Sequence, residues 1–280
     1  VPPHLLEQYH ITAMPLTYLL DGQPTELVGH DYYEAMRKGA EVKTSLVSPA
    51  LIRDTMESAL KDGDDVLYIA ISGGISGTCW SAELMAEELR GEYPDRMIRV
   101  LNTCGASLGE GLVVLEAAKM LEKGCTADEI IRQAEENCGR MRQFFMVDDL
   151  KYLRRGGRIT ARAAAISTVL QIKPLLKIEG AKLDVCAKVR GTIGCKKKLL
   201  ETARQVAEHY VETRDVDIGI TSSYRDTSAA EDWQKMAAAA FPEYRKTCGP
   251  LTFSISTHVE PDTFGLTVSH RLARTKGEQI

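Results

Sequence analysis

Val66-Leu67-Tyr68-Ile69-Ala70-Ile71 runs straight into Ser72-Gly73-Gly74-Ile75-Ser76-Gly77-Thr78. An unbroken apolar run bounded by polar residues suits a strand buried on both faces, as parallel strands are. Beyond the loop, Ala82, Leu84, Met85 and Leu89 continue as a helix. Strand, glycine loop and helix in succession form the repeating unit of an α/β protein. Unpaired N–H groups at such a helix start carry partial positive charge and can hold an anion. The loop has neither the Gly-Lys-Ser/Thr ending of a Walker A motif nor a G-x-G-x-x-G, so a nucleoside triphosphate is not favoured. A small anion or a carboxylate fits better. A tight strand-to-helix turn with a capping hydroxyl reads equally well from these residues alone.

On the N-terminal side, Tyr18-Leu19-Leu20 reads as a short strand ended by Asp21-Gly22, and Asp31 caps a helix that Gly39 stops. Thr44 and Ser45 fall in a polar loop. Ser48-Pro49 starts a helix whose Ile52, Met56, Ala59 and Leu60 share one face. On the other side come a buried strand from Met97 to Leu101, a loop from Asn102 to Ser107, and helices at Leu108–Leu121 and Ala127–Met141. This half predicts a three-layer α/β/α arrangement with a parallel sheet.

The pattern changes near Arg142. Phe144–Val147 is strand-like, Lys151–Arg162 is a basic turn with glycines, and Leu183–Val189 alternates as a strand of a mixed or antiparallel sheet does. Helices are expected at Cys195–Val211 and Ala229–Phe241, with strands at Val216–Thr221, Leu251–Ser256 and Gly265–Val268. The expected organisation is two α/β domains, 1–142 and 143–280, with a ligand in the cleft between them.

The chain has 280 residues, 35 Lys and Arg against 39 Asp and Glu, and a formal net charge of −4. That balance argues against a general nucleic-acid binder. No apolar run is long enough to span a membrane, so stable membrane insertion is not expected. Val1-Pro2-Pro3-His4 lacks the basic and apolar regions of a signal peptide. The seven cysteines are odd in number and include no C-x-x-C, which opposes both a disulfide framework and a zinc ribbon. A cytoplasmic location is the reading that follows. The histidines show no metal-ligand spacing, and no metal or other cofactor is expected.

Several residues carry candidate chemistry. Thr44-Ser45 precedes a helix start and reads alone as a capping loop. His258 is expected at the C-terminal end of an apolar strand, where α/β proteins place ligands. Ser76 with His258 suggests a hydrolase or acyltransferase, but no G-x-S-x-G elbow surrounds Ser76 and no orienting acid is evident. Cys79, inside the helix after the loop, is the other nucleophile candidate, with a thiol that a helix start would acidify. Arg154, Arg155, Arg158 and Arg162 form a basic stretch that reads as a solvated face or as a docking patch.

In order along the chain, five of these segments resemble the DegV family of fatty-acid-binding proteins. They are Thr44-Ser45 with Ser48-Pro49; Ile75-Ser76-Gly77-Thr78; Leu150-Lys151-Tyr152-Leu153 with Gly156-Gly157-Arg158-Ile159; Ile172-Lys173-Pro174; and His258 with Pro261 and Gly265-Leu266. Three departures stand out. The family opens with a strand and an Asp-Ser-Thr loop, and this match begins after them. Glu260 and Asp262 stand where the family has glycines, and Asn102-Thr103 stands where an Asp-Ser pair is common.

The resemblance implies a carrier rather than an enzyme. Two domains clasp a long-chain fatty acid, and its carboxylate meets Thr44, Ser45, Ser76, Gly77 and His258. A separate ATP-dependent fatty-acid kinase phosphorylates the presented acid, with Arg155 and Arg158 as docking candidates. Burying about fifteen methylenes is worth on the order of 12 kcal/mol before association costs. The tail therefore supplies affinity, and neutral hydroxyls and helix N–H groups suffice to place the carboxylate without a fixed charge. Ala163-Ala164-Ala165-Ile166, with Val169 and Leu170, is the expected tunnel wall.

Overall fold

A computed structural model describes residues 1–27, 29–160, 171–209, 216–223, 227–251, 253–259 and 262–270. A short helix, α1 (Pro3–Gln8), leads to the hairpin of β1 (Tyr18–Leu20) and β2 (Gln23–Thr25). Asp21 and Gly22 both have positive φ, at 50° and 80°, the geometry that tight hairpins demand. After α2 (Gly29–Arg37), β3 (Val42–Thr44) returns antiparallel to β1, with Tyr18 opposite Thr44. Thr44 is therefore the last residue of a strand rather than part of a loop. The strand is three residues long, too short for a periodicity to show.

Helix α3 (Pro49–Lys61), strand β4 (Val66–Ala70), helix α4 (Thr78–Glu92), strand β5 (Ile98–Asn102) and helices α5 (Leu108–Glu122) and α6 (Ala127–Arg140) follow. β4 and β5 pair in parallel, Val66 against Ile98. Their side chains alternate between two covers. Val66, Tyr68, Ile98 and Val100 pack with Ile52, Met56, Ala82 and Leu89 of α3 and α4. Leu67, Ile69 and Leu101 pack with Val113 of α5 and Ala134 of α6. Helices thus cover both faces, as expected. β4 is only half-buried up to Ile69, because β5 flanks it on one side only among the described residues.

The remaining elements are β6 (Arg142–Met146), α7 (Lys151–Arg155), β7 (Ile172–Glu179), β8 (Lys182–Arg190), α8 (Thr192–His209), β9 (Val216–Ser222), α9 (Thr227–Ala240), β10 (Arg245–Pro250), α10 (Phe253–Val259) and β11 (Phe264–His270). Six strands form one mixed sheet in the order β10-β9-β11-β6-β7-β8. Only β10 and β9 run parallel. α8 and α9 cover one face. Phe144, Met146, Ile218, Ile220, Phe264, Leu266 and Val268 point into that core with Leu199, Ala203, Trp233 and Phe241.

Two expectations fail here. Leu251–Ser256 is not a strand: the chain forms α10 from Phe253, so His258 sits in the last turn of a helix. The strand lies just before it, at β10, a polar segment that sequence pattern passes over because it is the sheet's edge. The basic stretch after Leu150 is not all turn, since its first five residues form α7. The proposed tunnel wall at Ala163–Ile166, Val169 and Leu170 lies outside the described residues. All seven cysteines are free thiols. Among the described residues, no helix is long and apolar enough to cross a membrane, and no side-chain cluster could hold a metal ion.

Candidate ligand-binding site

The six-stranded sheet turns its second face toward the N-terminal layers, and a cavity opens there. On β11, bulky Phe264, Leu266 and Val268 face the helical core, while Gly265 and Thr267 alternate to the other side. β9 repeats the pattern, with Ile218 and Ile220 on the core side and Gly219 and Thr221 opposite. Small residues on one face of two adjacent strands leave space that large ones would fill. Phe145, Ile178, Leu183, Ile255 and Leu251 add apolar wall, and Ile71, Ile75 and Leu16 close it from the N-terminal side. The space between the walls, mouth included, is about 820 Å³. The centre of a water-sized sphere can occupy only about 90 Å³ of it, so the void is narrow rather than a chamber. A thin, flexible alkyl chain is the shape such a void accepts.

Polar groups meet this cavity from several elements. Thr44, at the end of β3, bonds through Oγ1 to Nε2 of His258 at 2.9 Å. Helix α10 presents Ser254, Thr257 and His258 at helical spacing on one face, and each finds a partner on the N-terminal layer. Ser254 bonds the Tyr18 hydroxyl at 3.2 Å, and Thr257 bonds the Tyr32 hydroxyl at 2.6 Å. The other ring nitrogen of His258, Nδ1, is buried without a hydrogen-bond partner among the described residues. Burial, with help from nearby Arg158, pulls the His258 pKa down to about 4, so the ring is neutral at pH 7. Gly156 lies against it: a Cβ there would come 2.5 Å from Nδ1.

Ser76 lines the cavity just before α4, with its hydroxyl donating to Thr78 Oγ1 at 3.1 Å and accepting from the Thr78 N–H at 3.3 Å. The glycines of this loop have a packing reason as well. A Cβ on Gly74 would stand 1.9 Å from the carbonyl oxygen of Ala181, in the β7–β8 turn, and Ser72 donates to that same oxygen. Ala106 and Ser107 of the next loop also line the cavity. Gln143 clamps that loop, accepting from the Ala106 N–H at 2.8 Å and donating to its carbonyl at 2.7 Å.

Thr44, Ser76 and His258 therefore share one cavity. Ser45 and Gly77 do not line it: the Ser45 hydroxyl donates to the Leu46 carbonyl, and Gly77 packs under the Leu46 side chain. Arg155 is exposed, whereas Arg158 lines the cavity and donates to the carbonyls of Ile75 and Gly156. The hydrolase alternative finds no support in the geometry. His258 Nε2 is engaged by Thr44, and no carboxylate among the described residues orients its Nδ1. Cys79 is buried, and burial together with Glu83 raises its pKa, the opposite of an activated thiol. Sequence reasoning missed Gln143, Thr221, Gly265 and Thr267. For Gly265 and Thr267 the signal was the large–small alternation Phe264-Gly265-Leu266-Thr267-Val268.

A narrow apolar void lined also by hydroxyls, an imidazole and a guanidinium suits a long amphiphile. The chain belongs to the DegV family: the model described as "Uncharacterised protein, DegV family" matches residues 1–271. A DegV domain-containing protein of Clostridium perfringens is 35% identical over 81% of this chain and 76% of its own. A fatty-acid-binding DegV family protein from Thermus thermophilus superposes with a TM-score of 0.84 at 28% identity, covering 97% of this chain and 96% of that one. A stearic acid-binding protein from Eubacterium ventriosum has the same fold, with a TM-score of 0.88 at 22% identity over 96% and 94% of the two chains.

Proposed function

We propose that this protein binds one long-chain fatty acid and presents its carboxylate to a fatty-acid kinase. The observation that carries the reading is the narrow apolar cavity that Thr44, Ser76 and His258 line together, with Thr44 bonded to His258. The Thermus thermophilus relative, described as fatty-acid-binding, supports it. The acyl chain lies between the small-residue face of β9 and β11 and the N-terminal layers. The carboxylate accepts from the Thr44 hydroxyl and from the Ser76 hydroxyl, which turns to it from Thr78; the one N–H of neutral His258, on Nε2, donates to Thr44 Oγ1 and so frees the Thr44 hydrogen for the acid. Ser45 and Gly77 act indirectly, through the backbone path that sets Thr44 and Ser76. The halves 1–142 and 143–280 behave as two domains that close on the ligand. Arg155, exposed at the end of α7, is the docking residue for the kinase. The seven free thiols suit a reducing, cytoplasmic setting.

The test is organic extraction of the purified protein with mass spectrometry of the extract, beside a native mass spectrum. One fatty acid per chain is the expected result. A lipid-free protein that also fails to take up added fatty acid overturns the reading. For the head group, Thr44→Ala combined with Ser76→Ala is expected to weaken acid binding roughly tenfold or more. For the kinase step, Arg155→Glu is expected to lower acyl-phosphate formation with a partner kinase while acid binding stays intact.

A further inference from the structure

The floor of the cavity carries a hydroxyl that the head-group chemistry does not use. Thr221 is only 6% exposed and lines the void from β9. Its carbonyl accepts from the Trp233 indole at 3.1 Å, but its Oγ1 has no hydrogen-bond partner among the described residues. The other hydroxyls around the void are better provided for. Thr44 meets His258, Ser76 meets Thr78, Ser254 meets Tyr18, and Thr263 donates to the Val259 carbonyl. Thr267 accepts from Gln143, and Ser107 is only half-buried. A buried hydroxyl left without a partner costs free energy. Packing alone does not call for one here, since valine has the same shape and is as good a strand former.

The surrounding floor keeps that hydroxyl at the surface of the void. Gly265 stands directly opposite Thr221 on β11, and a Cβ there would come 2.8 Å from Thr221 Oγ1. The glycine therefore leaves the oxygen room to lie over the sheet. Across Gly265, on β6, the next floor residue is Phe145. The oxygen thus sits in an otherwise apolar stretch, while Thr44 and Ser76 enter from the N-terminal layers on the other side.

We infer that Thr221 is a subsite for an oxygen on the acyl chain, through which the protein accepts monohydroxylated fatty acids with the hydroxyl at one preferred carbon. The inference rests on the fatty-acid reading above. A threonine hydroxyl both donates and accepts, so it pairs with a chain hydroxyl in either sense. A saturated chain leaves Thr221 unpaired. A chain hydroxyl at another carbon is buried against apolar wall such as Phe145 and goes unpaired itself. The floor therefore reads the position of the oxygen along the chain.

The experiment measures Kd for stearic acid and for its isomers hydroxylated at carbon three, eight, ten, twelve or sixteen, on the wild type, Thr221→Val and Thr221→Ser. The isomers share one formula and nearly one cost of leaving water, so their ratios report the site. In the wild type one isomer is expected to bind roughly 3- to 10-fold more tightly than the others, the range of one neutral hydrogen bond. Thr221→Val is expected to abolish that advantage and to tighten stearic acid by roughly threefold, because no hydroxyl is then left unpaired. Thr221→Ser, which keeps the hydroxyl, is expected to retain the preference. Isomers that bind the wild type equally overturn the inference, whether or not the variants fold. A preference that survives Thr221→Val also overturns it. So does a Thr221→Val that weakens stearic acid about tenfold, which would place Thr221 on the carboxylate. A wild type that takes up stearic acid and none of the isomers overturns the inference and leaves the fatty-acid reading standing. One that binds no acid at all overturns both.

Discussion

Gly156 shows how a single missing Cβ sets the chemistry of the site. The His258 ring occupies the space that a side chain at 156 would take, 2.5 Å from Nδ1. Gly156→Ala must therefore push the ring, and with it Nε2, away from Thr44. Such overpacking costs about 1–3 kcal/mol, so a lower melting temperature is expected together with weaker acid binding. Melting that matches wild type would mean the ring has room to spare. The same burial governs pH behaviour. An unfolded histidine titrates near 6.5, while folded His258 and His270 are both held at about 4, chiefly by burial. The unfolded chain therefore binds more protons between those values. The two histidines' contribution to stability is complete above about pH 6.5 and falls as pH drops toward 4, offset in part by Glu110, which burial raises to about 7. Melting curves at pH 7 and pH 5 are expected to show the fall, and His258→Gln to reduce it but not abolish it, since His270 remains. An unchanged pH slope in the variant would show that His258 is not the titrating group.

The turn between β7 and β8 packs directly against the glycine loop. Gly180 and Ala181 both have positive φ, at 57° and 65°, as a tight hairpin requires. The Ala181 carbonyl presses on Gly74, and a backbone carbonyl cannot swing aside as a side-chain tip can. Gly74→Ala is expected to destabilise the fold by 2 kcal/mol or more on the scale of ~1–3 kcal/mol for overpacking. Ala181→Gly has the opposite sign, because alanine is strained at that φ, and a gain of about 0.5–1 kcal/mol is expected. Denaturant melts of the two variants check the pair, and equal shifts in the same direction would refute it. Elements with strong local signals were legible in the sequence. Ser48-Pro49 starts α3 where expected, and β4, α5 and α6 lie within a residue or two of their expected bounds. Segments whose structure is decided by distant partners were not. Leu251, Phe253 and Ile255 alternate like a strand, yet Ser254, Thr257 and His258 also share a helical face. Seven residues satisfy both periods, and the Tyr18, Tyr32 and Thr44 partners that favour the helix are more than two hundred residues away.

Across the molecule, the cavity belongs to no single layer. Its floor is the face of the mixed sheet that α8 and α9 leave uncovered, and its roof comes from the loops after β4 and β5. Gln143 joins the two, bonding Ala106 in the roof and Thr267 in the floor. A ligand that fills the void touches both parts and stabilises their association. At a free concentration a hundred times its Kd, it adds about 2.7 kcal/mol, or roughly 5–10 °C in melting temperature. The acyl chain length that gives the largest shift is then set by the wall. Leu183 lines the cavity from β8, where it pairs with Ile178 across the hairpin. Leu183→Phe puts a ring into a void too narrow to absorb it, so the protein must exclude part of the chain. Each methylene excluded removes about 0.8 kcal/mol of burial, so the preferred acid is expected to shorten by about two to four carbons. A melting-temperature series over saturated acids from twelve to twenty carbons reads this directly. A maximum that stays at the wild-type length would mean that the acyl chain does not reach Leu183 and runs along a different wall of the cavity.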